Sequence, residues 1–411
     1  MTEIAVQVLS REGTPTIEIH RTADLPVPGP NQVLIGFLAS PIHPLDLLVL
    51  AGKYPVKPKF RHVNDEGDDE GAIPGYDGIA QVLSVGPPPT LSSPSTTGTT
   101  SGSSGTELVP GDFVIPSIFG LGTWRSHAIV DSSLVMKISP PPQDLIGASM
   151  IRLAVAPGYF LVEDVVSQKL KPGDTIIINA GTSAVAHFVG QFARLRGVGV
   201  VHVVRDRSDP EDMEEVRSRL LDSGAEAVIT ESELIAGKMK CTGTGTGTGT
   251  GTRDGRRSRR IVMAIDAVFG GAGSVALRDA LCEGGTYVQL GFLSGGTPQN
   301  KVELGPGELF GRRLTMVGFR GSDRWAARTP EERTDLVNWW VDLFNRGILT
   351  RPALGLDLVQ WVPGRLDENG RGRLRDAVRR AQAGGLGQRK QVLVFVDSDV
   401  KDEEEEEEDL D

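Results

Sequence analysis

The amino-acid sequence predicts an α/β protein in which a β-rich domain is followed by a doubly wound parallel sheet. In roughly the first 145 residues, short apolar runs such as "QVLIGFLAS" and "GIAQVLSVG" alternate with Gly and Pro, which is typical of a compact, partly barrel-like β domain. From about Gly158 onward, apolar runs such as "GDTIIINA" alternate with helical segments, and this order favours a parallel sheet covered by helices on both faces. A chain of 411 residues has room for both domains.

Helix and strand signals continue toward the end of the chain. The stretch from Thr329 to Gly347 predicts a helix, with Thr329 as its N-cap, Pro330 at its first position, Glu332 completing a capping box and Gly347 ending it. Residues 390–396 predict a last strand. Three aromatic residues of the predicted helix are expected to pack in the core: Trp339, Trp340 and Phe344.

Four segments are too polar or too low in complexity to pack. They are the insertions 64–72 and 87–106, the Thr-Gly loop 240–258 and the acidic tail 399–411. Gly, Ser, Thr and carboxylates at this density bury too little apolar surface to offset the chain entropy. We therefore expect these segments to be disordered.

Charge and composition exclude several classes of partner. The net charge is −11, but nine acidic side chains lie in the last ten residues, so the rest of the chain has a net charge of −2. The basic cluster 253–260 adjoins low-complexity sequence and predicts a flexible loop, so we expect no nucleic-acid partner. No apolar run approaches about 20 residues, so we expect no membrane partner. The N-terminus shows no presequence, which favours the cytosol or an organelle entered by another route.

Cysteine use is sparse, with Cys241 and Cys282 as the two cysteines of the sequence. A structural zinc site needs about four Cys or His ligands at short spacings, so these two residues predict no metal site. We expect no disulfide framework either, and a reducing compartment fits this composition.

The stretch "NAGTSAVAHFVGQ", residues 179–191, has the strand, tight turn and helix of a dinucleotide-binding protein. Only Gly181 lies in the turn, and Ala184 and Ala186 stand where a G-x-G-x-x-G fingerprint has glycine. Alanine is tolerated at these positions because φ is negative at the start of a helix. We therefore expect the backbone N–H groups of this turn to hold a pyrophosphate.

The second strand of the parallel sheet ends in "VVRDR", about 25 residues after the turn, where NAD-binding proteins place an acidic residue against the ribose 2′-hydroxyl. Arg205 and Arg207 flank Asp206, and their forked donors match phosphate oxygens. This arrangement favours NADPH over NADH. The alternative is a solvated strand end whose arginines pair with nearby carboxylates.

Several stretches occur in an order that matches one family and together span most of the chain. They include "ASPIHPLDLLVLAGKYP", "IPGYDGIAQVLSVG", "GLGTWRSHAIV", "LKPGDTIIINAGTSAVA", "VVRDR" and "RKQVL", of which "GLGTWR" and "VVRDR" are the more discriminating. With these stretches the chain resembles the mitochondrial trans-2-enoyl-thioester (enoyl-CoA/ACP) reductases, a zinc-free branch of the medium-chain dehydrogenase/reductase superfamily.

The resemblance implies a GroES-like catalytic domain at 1–150, a Rossmann NADPH-binding domain at 151–325 and a return to the catalytic domain at 326–398, with the site in the cleft between the domains. It also implies reduction of the C2–C3 double bond of an enoyl-CoA or enoyl-ACP thioester in fatty-acid synthesis, with a hydride from NADPH to C3 and a proton to C2. Family members are mitochondrial and commonly homodimers, so the resemblance implies both for this chain.

The resemblance assigns the proton donor to the tyrosine of "AGKY", which is Tyr54. A phenol, with a pKa of about 10, can donate a proton to a developing enolate. Lys53, Lys57 and Lys59 could lower its pKa or meet substrate phosphates. The alternative is a loop tyrosine that anchors a turn before Pro55.

The family's cofactor contacts fall on four groups of residues. The pyrophosphate turn matches Thr182, Ser183, Ala184 and Val185. The loop beside the nicotinamide ribose matches Leu290, Gly291, Phe292 and Leu293. The nicotinamide side matches Phe319, Arg320, Gly321 and Ser322, and a lysine near the cofactor matches Lys390.

The chain departs from the family pattern at two positions. Ala156 replaces an asparagine before Pro157, and Arg320 replaces a tryptophan after Phe319. The zinc ligands of metal-dependent relatives are absent, so His43 and Asp46 are interpreted as turn residues and no metal is predicted.

Two other functions stay open from the sequence. Ala156 and Arg320 would suit a quinone or enone reductase on the same scaffold. The alanines of the turn would suit a non-catalytic relative that keeps the fold for binding.

Overall fold

The computed structural model describes residues 2–9, 15–22, 25–54, 56, 58, 61–62, 70–88, 107–165, 170–239, 241, 259–294, 301–363, 368–383 and 389–396. The predictions of disorder for 64–69, 89–106, 242–258 and 399–411 lie outside these residues, as do Pro55, Lys57 and Lys59.

The described residues fall into two compact units. The first takes its residues from Met1–Arg152, Pro330–Ile348 and Leu356–Asp411, and the second takes them from Leu153–Thr329 and Leu349–Gly355. The segments 326–329 and 349–355 therefore group with the second unit, which corrects the uninterrupted return predicted at 326–398.

The described strands, in chain order, are β1 (Thr2–Leu9), β2 (Pro15–Thr22), β3 (Gln32–Pro41), β4 (Arg61–His62), β5 (Glu70–Ala72), β6 (Ile79–Val85), β7 (Phe113–Pro116), β8 (His127–Asp131), β9 (Val135–Lys137), β10 (Asp174–Ile178), β11 (Gly199–Val204), β12 (Ala227–Thr230), β13 (Arg260–Asp266), β14 (Thr286–Gln289), β15 (Thr315–Gly318), β16 (Leu356–Trp361) and β17 (Lys390–Phe395).

The described α-helices are α1 (Pro44–Leu50), α2 (Leu145–Ala148), α3 (Ala156–Phe160), α4 (Ala184–Leu195), α5 (Pro210–Asp222), α6 (Glu231–Ile235), α7 (Gly271–Asp279), α8 (Gly321–Ala326), α9 (Pro330–Asn345) and α10 (Glu368–Ala383). Wider π-type turns at Ile151–Val155 and Leu161–Val165 flank α3, and another lies at Gly307–Gly311. A 3₁₀ turn lies at Ser132–Leu134. Among the described residues, no helix is long and apolar enough to cross a membrane.

The first unit is built from two sheets in its described part. Strands β2, β1, β5 and β4 form the smaller sheet, and β16, β17, β3, β6, β7 and β9 form the larger one, in which β8 also pairs with β3. Neighbours in the larger sheet are antiparallel except for the parallel pair β16 and β17. A core of buried side chains such as Ile35, Trp124 and Leu393 holds this unit together.

Strand β5 corrects one prediction of disorder. Residues 70–72, placed in the insertion 64–72, pair with β1 and β4 instead, and Ala72 is buried. Backbone pairing to a neighbouring strand does not need an apolar side chain at every position, so the composition of this short segment did not reveal it.

The second unit contains a parallel sheet in the order β12, β11, β10, β13, β14 and β15. Every residue of β10 is buried, which agrees with a strand covered on both faces. The apolar core around Ile177, Val201 and Ala264 lies in this unit. The predicted α/β class with a parallel sheet is therefore confirmed.

Helix α9 confirms the predicted helix but corrects one of its core residues. Trp340 and Phe344 are buried, whereas Trp339 is 40% exposed. Neighbouring residues on an α-helix point about 100° apart, so one face cannot bury both tryptophans equally. Gly347 has a φ of 67°, a conformation that glycine adopts without strain.

The two cysteines correct another expectation. Cys241 and Cys282 form a disulfide in the second unit, with their Cα atoms 5.1 Å apart. They are 41 residues apart in the chain, so only the fold brings them together. The expectation of no disulfide was therefore wrong.

Candidate active site

The turn between β10 and α4 presents a helix N-terminus at the carboxyl end of a parallel strand. Ser183 is the N-cap of α4, and its side chain accepts a hydrogen bond from the Ala186 N–H at 3.2 Å. Ala184 and Val185 form the first turn of the helix, and Thr182 before them is exposed. The first N–H groups of a helix have no intrahelical acceptor and carry the positive end of the dipole, so this turn can bind an anion.

The structure changes the reason for the glycine in this turn. Ala180, with a φ of 48°, adopts the left-handed conformation, and Gly181 does not. A Cβ on Gly181 would lie 2.9 Å from both the Cβ of His202 and the carbonyl oxygen of Val203. Gly181 is thus required by its close approach to β11, where its N–H donates to Val203 and its carbonyl contacts His202 Nδ1 at 2.8 Å.

The end of β11 carries one hydrogen-bonded carboxylate and two guanidiniums. Asp206 accepts hydrogen bonds from the Ser232 N–H at 3.1 Å and the Ser232 hydroxyl at 2.9 Å. Desolvation raises the pKa of Asp206, but hydrogen bonds from Thr230 and Ser232 outweigh it and lower the pKa overall. Arg205 is exposed, while the Nε of Arg207 is buried and hydrogen-bonds to no described residue. The carboxylate is already engaged, and Arg207 keeps a donor for an anion.

The loop after β14 is held by backbone hydrogen bonds to the buried Asp266. The N–H groups of Leu290 and Gly291 donate to the backbone carbonyl of Asp266 at 2.8 and 3.3 Å, and Leu293 donates to Ala267. Phe292 is partly buried and Leu293 is exposed. The Asp266 carboxylate also holds the loop after β13, where it accepts from the N–H groups of Val268 and Phe269 at 2.9 and 2.8 Å.

Asp266 also connects this loop to the pyrophosphate turn. Its carboxylate accepts from Asn179 Nδ2 at 2.6 Å and from the Tyr287 hydroxyl, while Asn179 Oδ1 accepts from the Ala267 N–H at 2.7 Å. Burial, followed by the charge of Asp266, raises the pKa of Tyr287, so the phenol stays protonated as a donor. Sequence reasoning did not identify this network. An acidic residue at the end of the apolar run 261–265 was the available signal.

The segment after β15 places the two family departures in neighbouring elements. Phe319 is buried, Gly321 begins α8, and a Cβ on Gly321 would lie 3.5 Å from Pro157 in α3. Ala156 in α3 is buried, whereas Arg320 is largely exposed, with a weak ion pair to Asp323 at 3.9 Å. Ser322 is exposed. The Arg320 charge is therefore in solvent in this unit.

These segments share one edge of the parallel sheet. The groups 205–207, 290–293 and 319–322 directly follow β11, β14 and β15, and the group 182–185 follows β10 after three residues. Because all these strands are parallel, their carboxyl ends lie at the same edge, where ligands of open α/β sheets bind.

Tyr54 and Lys390 belong to the first unit. Tyr54 is partly buried and follows the end of α1, where the Lys53 N–H donates to Leu48 at 2.8 Å. Tyr76 is close enough to Tyr54 for the two phenols to interact. Burial, Asp46 and Tyr54, in that order, raise the pKa of Tyr76 to about 12. Tyr76 is therefore neutral at physiological pH.

Lys390 is partly buried and contacts a group of buried polar side chains. We call His43, Asp46, Asp77 and Lys390 together the lysine cluster. The Lys390 ammonium donates to His43 Nδ1 at 3.0 Å and to the Ile42 carbonyl at 3.3 Å, and His43 Nε2 lies 3.3 Å from Asp77 Oδ2. His43 is the N-cap of α1, and Asp46 lies in the first turn of that helix. Both positions agree with the interpretation of these two residues as turn residues. No group of three or more His, Cys, Asp or Glu side chains in the described part of the chain could hold a metal ion.

Comparison with known proteins identifies relatives over most of the chain, although no protein-family model matches it. The chain is 32% identical over 325 residues to the human mitochondrial enoyl-[acyl-carrier-protein] reductase, which covers 79% of this chain and 74% of that protein. It is 29% identical over 399 residues to the Yarrowia lipolytica mitochondrial enoyl-[acyl-carrier-protein] reductase, which covers 95% of this chain and 92% of that protein.

A solved structure has a fold similar to that of this chain. The structure of the Etr1p/NADP/crotonyl-CoA complex matches with a TM-score of 0.73 at 22% sequence identity, over 96% of this chain and all of that chain. The two domain types implied by the resemblance are those of this fold. From these similarities, the chain belongs to the family of mitochondrial enoyl-[acyl-carrier-protein] reductases.

Proposed function

We propose that this protein reduces the C2–C3 double bond of trans-2-enoyl thioesters with NADPH, in fatty-acid synthesis. One observation carries the proposal: four segments expected to contact a dinucleotide lie at the same edge of one parallel sheet, in a chain related to enoyl-[acyl-carrier-protein] reductases. The related Etr1p was solved with NADP and crotonyl-CoA.

The described residues fit NADPH. The α4 N-terminus at 182–185 would hold the pyrophosphate, and Gly181 lets this turn lie close to β11, where a Cβ would collide. Arg205 and Arg207 would bind the 2′-phosphate, with the buried Nε of Arg207 as a spare donor. Residues 290–293 and 319–322 would line the nicotinamide end, and Lys390 would add a positive charge near the cofactor.

The chemistry divides between the cofactor and the protein. NADPH, when bound, supplies the hydride that adds to C3 of the substrate. Tyr54 gives its phenolic proton to C2 and takes one back from solvent in the next cycle. The nearby Tyr76 stays neutral and adds no negative charge that would oppose formation of the Tyr54 phenolate.

The substrate carrier and the assembly are finer points of the proposal. Coenzyme A thioesters and acyl-carrier-protein thioesters present the same reacting atoms, so we propose both as substrates. The homodimer and the mitochondrial location stay predictions based on the resemblance.

The function is tested by following NADPH absorbance with crotonyl-CoA as the substrate. We expect oxidation of NADPH that depends on crotonyl-CoA, with saturated butyryl-CoA as the product, and no comparable rate with a benzoquinone. Quinone turnover without enoyl-thioester turnover would replace the proposal with a quinone reductase. NADPH binding without turnover of either substrate would leave a binding protein.

Cofactor choice is expected to depend on the two arginines. Arg205→Ala and Arg207→Ala should each weaken NADPH binding by about 10- to 100-fold, because each removes a charge-assisted phosphate contact. NADH affinity should change by less than about twofold, since NADH lacks the phosphate. Fluorescence titration with both cofactors measures this, with Arg219→Ala on α5 as the control. Equal losses for NADPH and NADH would contradict the phosphate assignment.

A further inference from the structure

The lysine cluster combines three buried side chains with the partly buried Lys390 in the first unit. His43, Asp46 and Asp77 are 3%, 1% and 0% exposed. Asp77 is held through its side chain and through its backbone carbonyl. Its Oδ1 accepts from the N–H groups of Gly78 and Arg152 at 3.1 and 3.2 Å. Its carbonyl oxygen accepts from the hydroxyls of Ser40 and Thr123. An anchored carboxylate gives the imidazole of His43 a fixed neighbour.

The hydrogen bonds define the tautomer of His43. A lysine ammonium has donors and no acceptor, so His43 Nδ1 must accept from Lys390 and the ring proton must be on Nε2. Nε2 then lies 3.3 Å from Asp77 Oδ2 without making a hydrogen bond to it. The neutral ring thus accepts from an ammonium on one side and lies beside a carboxylate on the other. Burial, followed by the charge of Lys390, lowers the pKa of His43 well below 6.5, which agrees with a neutral ring.

Asp46 is the second carboxylate of the cluster. Its Oδ2 accepts from the His43 N–H at 2.6 Å, while its Oδ1 is buried and hydrogen-bonds to no described residue. Burial raises the pKa of Asp46 to about 7, although N–H donors and Lys390 oppose the rise. Asp46 therefore changes charge near neutral pH, beside the ammonium.

Other titratable groups interact with the two carboxylates of the lysine cluster. Tyr76 interacts with Asp46, and the partly buried Arg152 interacts with Asp77. Gln391 follows Lys390 in β17. Its side chain accepts a hydrogen bond from Arg380 of α10 and donates one to Asp357 of β16. Burial lowers the pKa of Lys390 to about 8, while Asp46 and Asp77 raise it in part.

We propose that His43 is a positioning residue that holds the Lys390 ammonium in one place, with Asp77 orienting the imidazole and Asp46 balancing the charge. The proposal rests on the proposed function, which places Lys390 near NADPH. The lysine cluster then sets the alkaline limit of cofactor binding. Lys390 is charged below about pH 8 and loses its charge as the pH rises through that value, so NADPH affinity should fall there.

The test begins with the cofactor-free protein. Competitive acetylation of lysines, read by mass spectrometry as a function of pH, reports the titration of Lys390, with exposed Lys171 as an internal control. We expect a midpoint near pH 8 in the wild type. His43→Leu removes the acceptor of the ammonium and should lower the midpoint by about one unit, whereas His43→Asn keeps an oxygen near the Nδ1 position and should stay closer to the wild type.

Asp46→Asn provides an independent variant in case His43→Leu does not fold. It keeps an acceptor for the His43 N–H but removes a negative charge, so the Lys390 midpoint should also fall by about one unit. The NADPH dissociation constant, measured over the same pH range, should rise above the same midpoint in each protein.

Two results separate the proposals. An unchanged Lys390 midpoint in His43→Leu and Asp46→Asn would overturn the positioning role of His43. A shifted midpoint with NADPH affinity that does not follow it would support the positioning role and would overturn the placement of Lys390 at the cofactor, and with it the proposed alkaline limit.

Discussion

Tyr54→Phe is expected to lower kcat for crotonyl-CoA reduction by about 100- to 1000-fold, because it removes the proton donor and keeps the ring. The NADPH dissociation constant should change by less than about twofold, since the phenol acts on the substrate. Steady-state rates of NADPH oxidation and a fluorescence titration measure the two quantities on the same preparation.

Tyr76→Phe is the matched control for Tyr54→Phe. Tyr76 is near Tyr54, and its ring packs at a tilt against Phe119 with the ring centres 4.5 Å apart, a contact that phenylalanine retains. We expect kcat to stay within about threefold of the wild type, a change worth well under 1.4 kcal/mol of activation free energy. If Tyr54→Phe kept this rate and Tyr76→Phe lost it, the roles of the two tyrosines would be exchanged.

Trp340→Ala is expected to lower the free energy of unfolding by about 3–5 kcal/mol, because it leaves a large cavity in the core of the first unit. Trp340 is fully buried in α9. Urea denaturation followed by circular dichroism measures the change. Since helix α9 shares its unit with Tyr54, a loss of soluble protein is the expected result if the wild-type stability is low.

Trp339→Ala is the control for this prediction, since the neighbouring tryptophan is 40% exposed. It should cost less than about 1 kcal/mol, because much of its ring already contacts water. A similar loss for both variants would contradict the burial difference and would indicate that the Trp339 face is covered in solution.

The pyrophosphate turn shows how far sequence reasoning reaches. The strand, turn and helix were predicted from apolar periodicity and one glycine, and α4 begins at Ala184. The reason for the glycine was not predictable. Ala180, not Gly181, takes the left-handed conformation. Gly181 is constrained by its contact with β11, a strand that begins only after the whole of α4.

The buried polar residues were the hardest to interpret. Asp266 connects Asn179 to Tyr287, and a pattern of apolar and polar letters does not show which strands lie side by side. The same limit applies to the cysteines, which the sequence assigned to no disulfide. The role of "VVRDR" in binding a phosphate stays a prediction, because the position of the two arginines at the end of a parallel strand fits that role but does not exclude pairing with nearby carboxylates.

By itself, the sequence determined the α/β class, the parallel sheet and the family, because apolar periodicity, turn residues and short motifs are local along the chain. Only the tertiary structure decided the residues that share a buried environment. Lys390 is 347 residues from His43, and neither residue carries a local signal of the other. Buried charges need partners, and the fold alone determines which residues supply them.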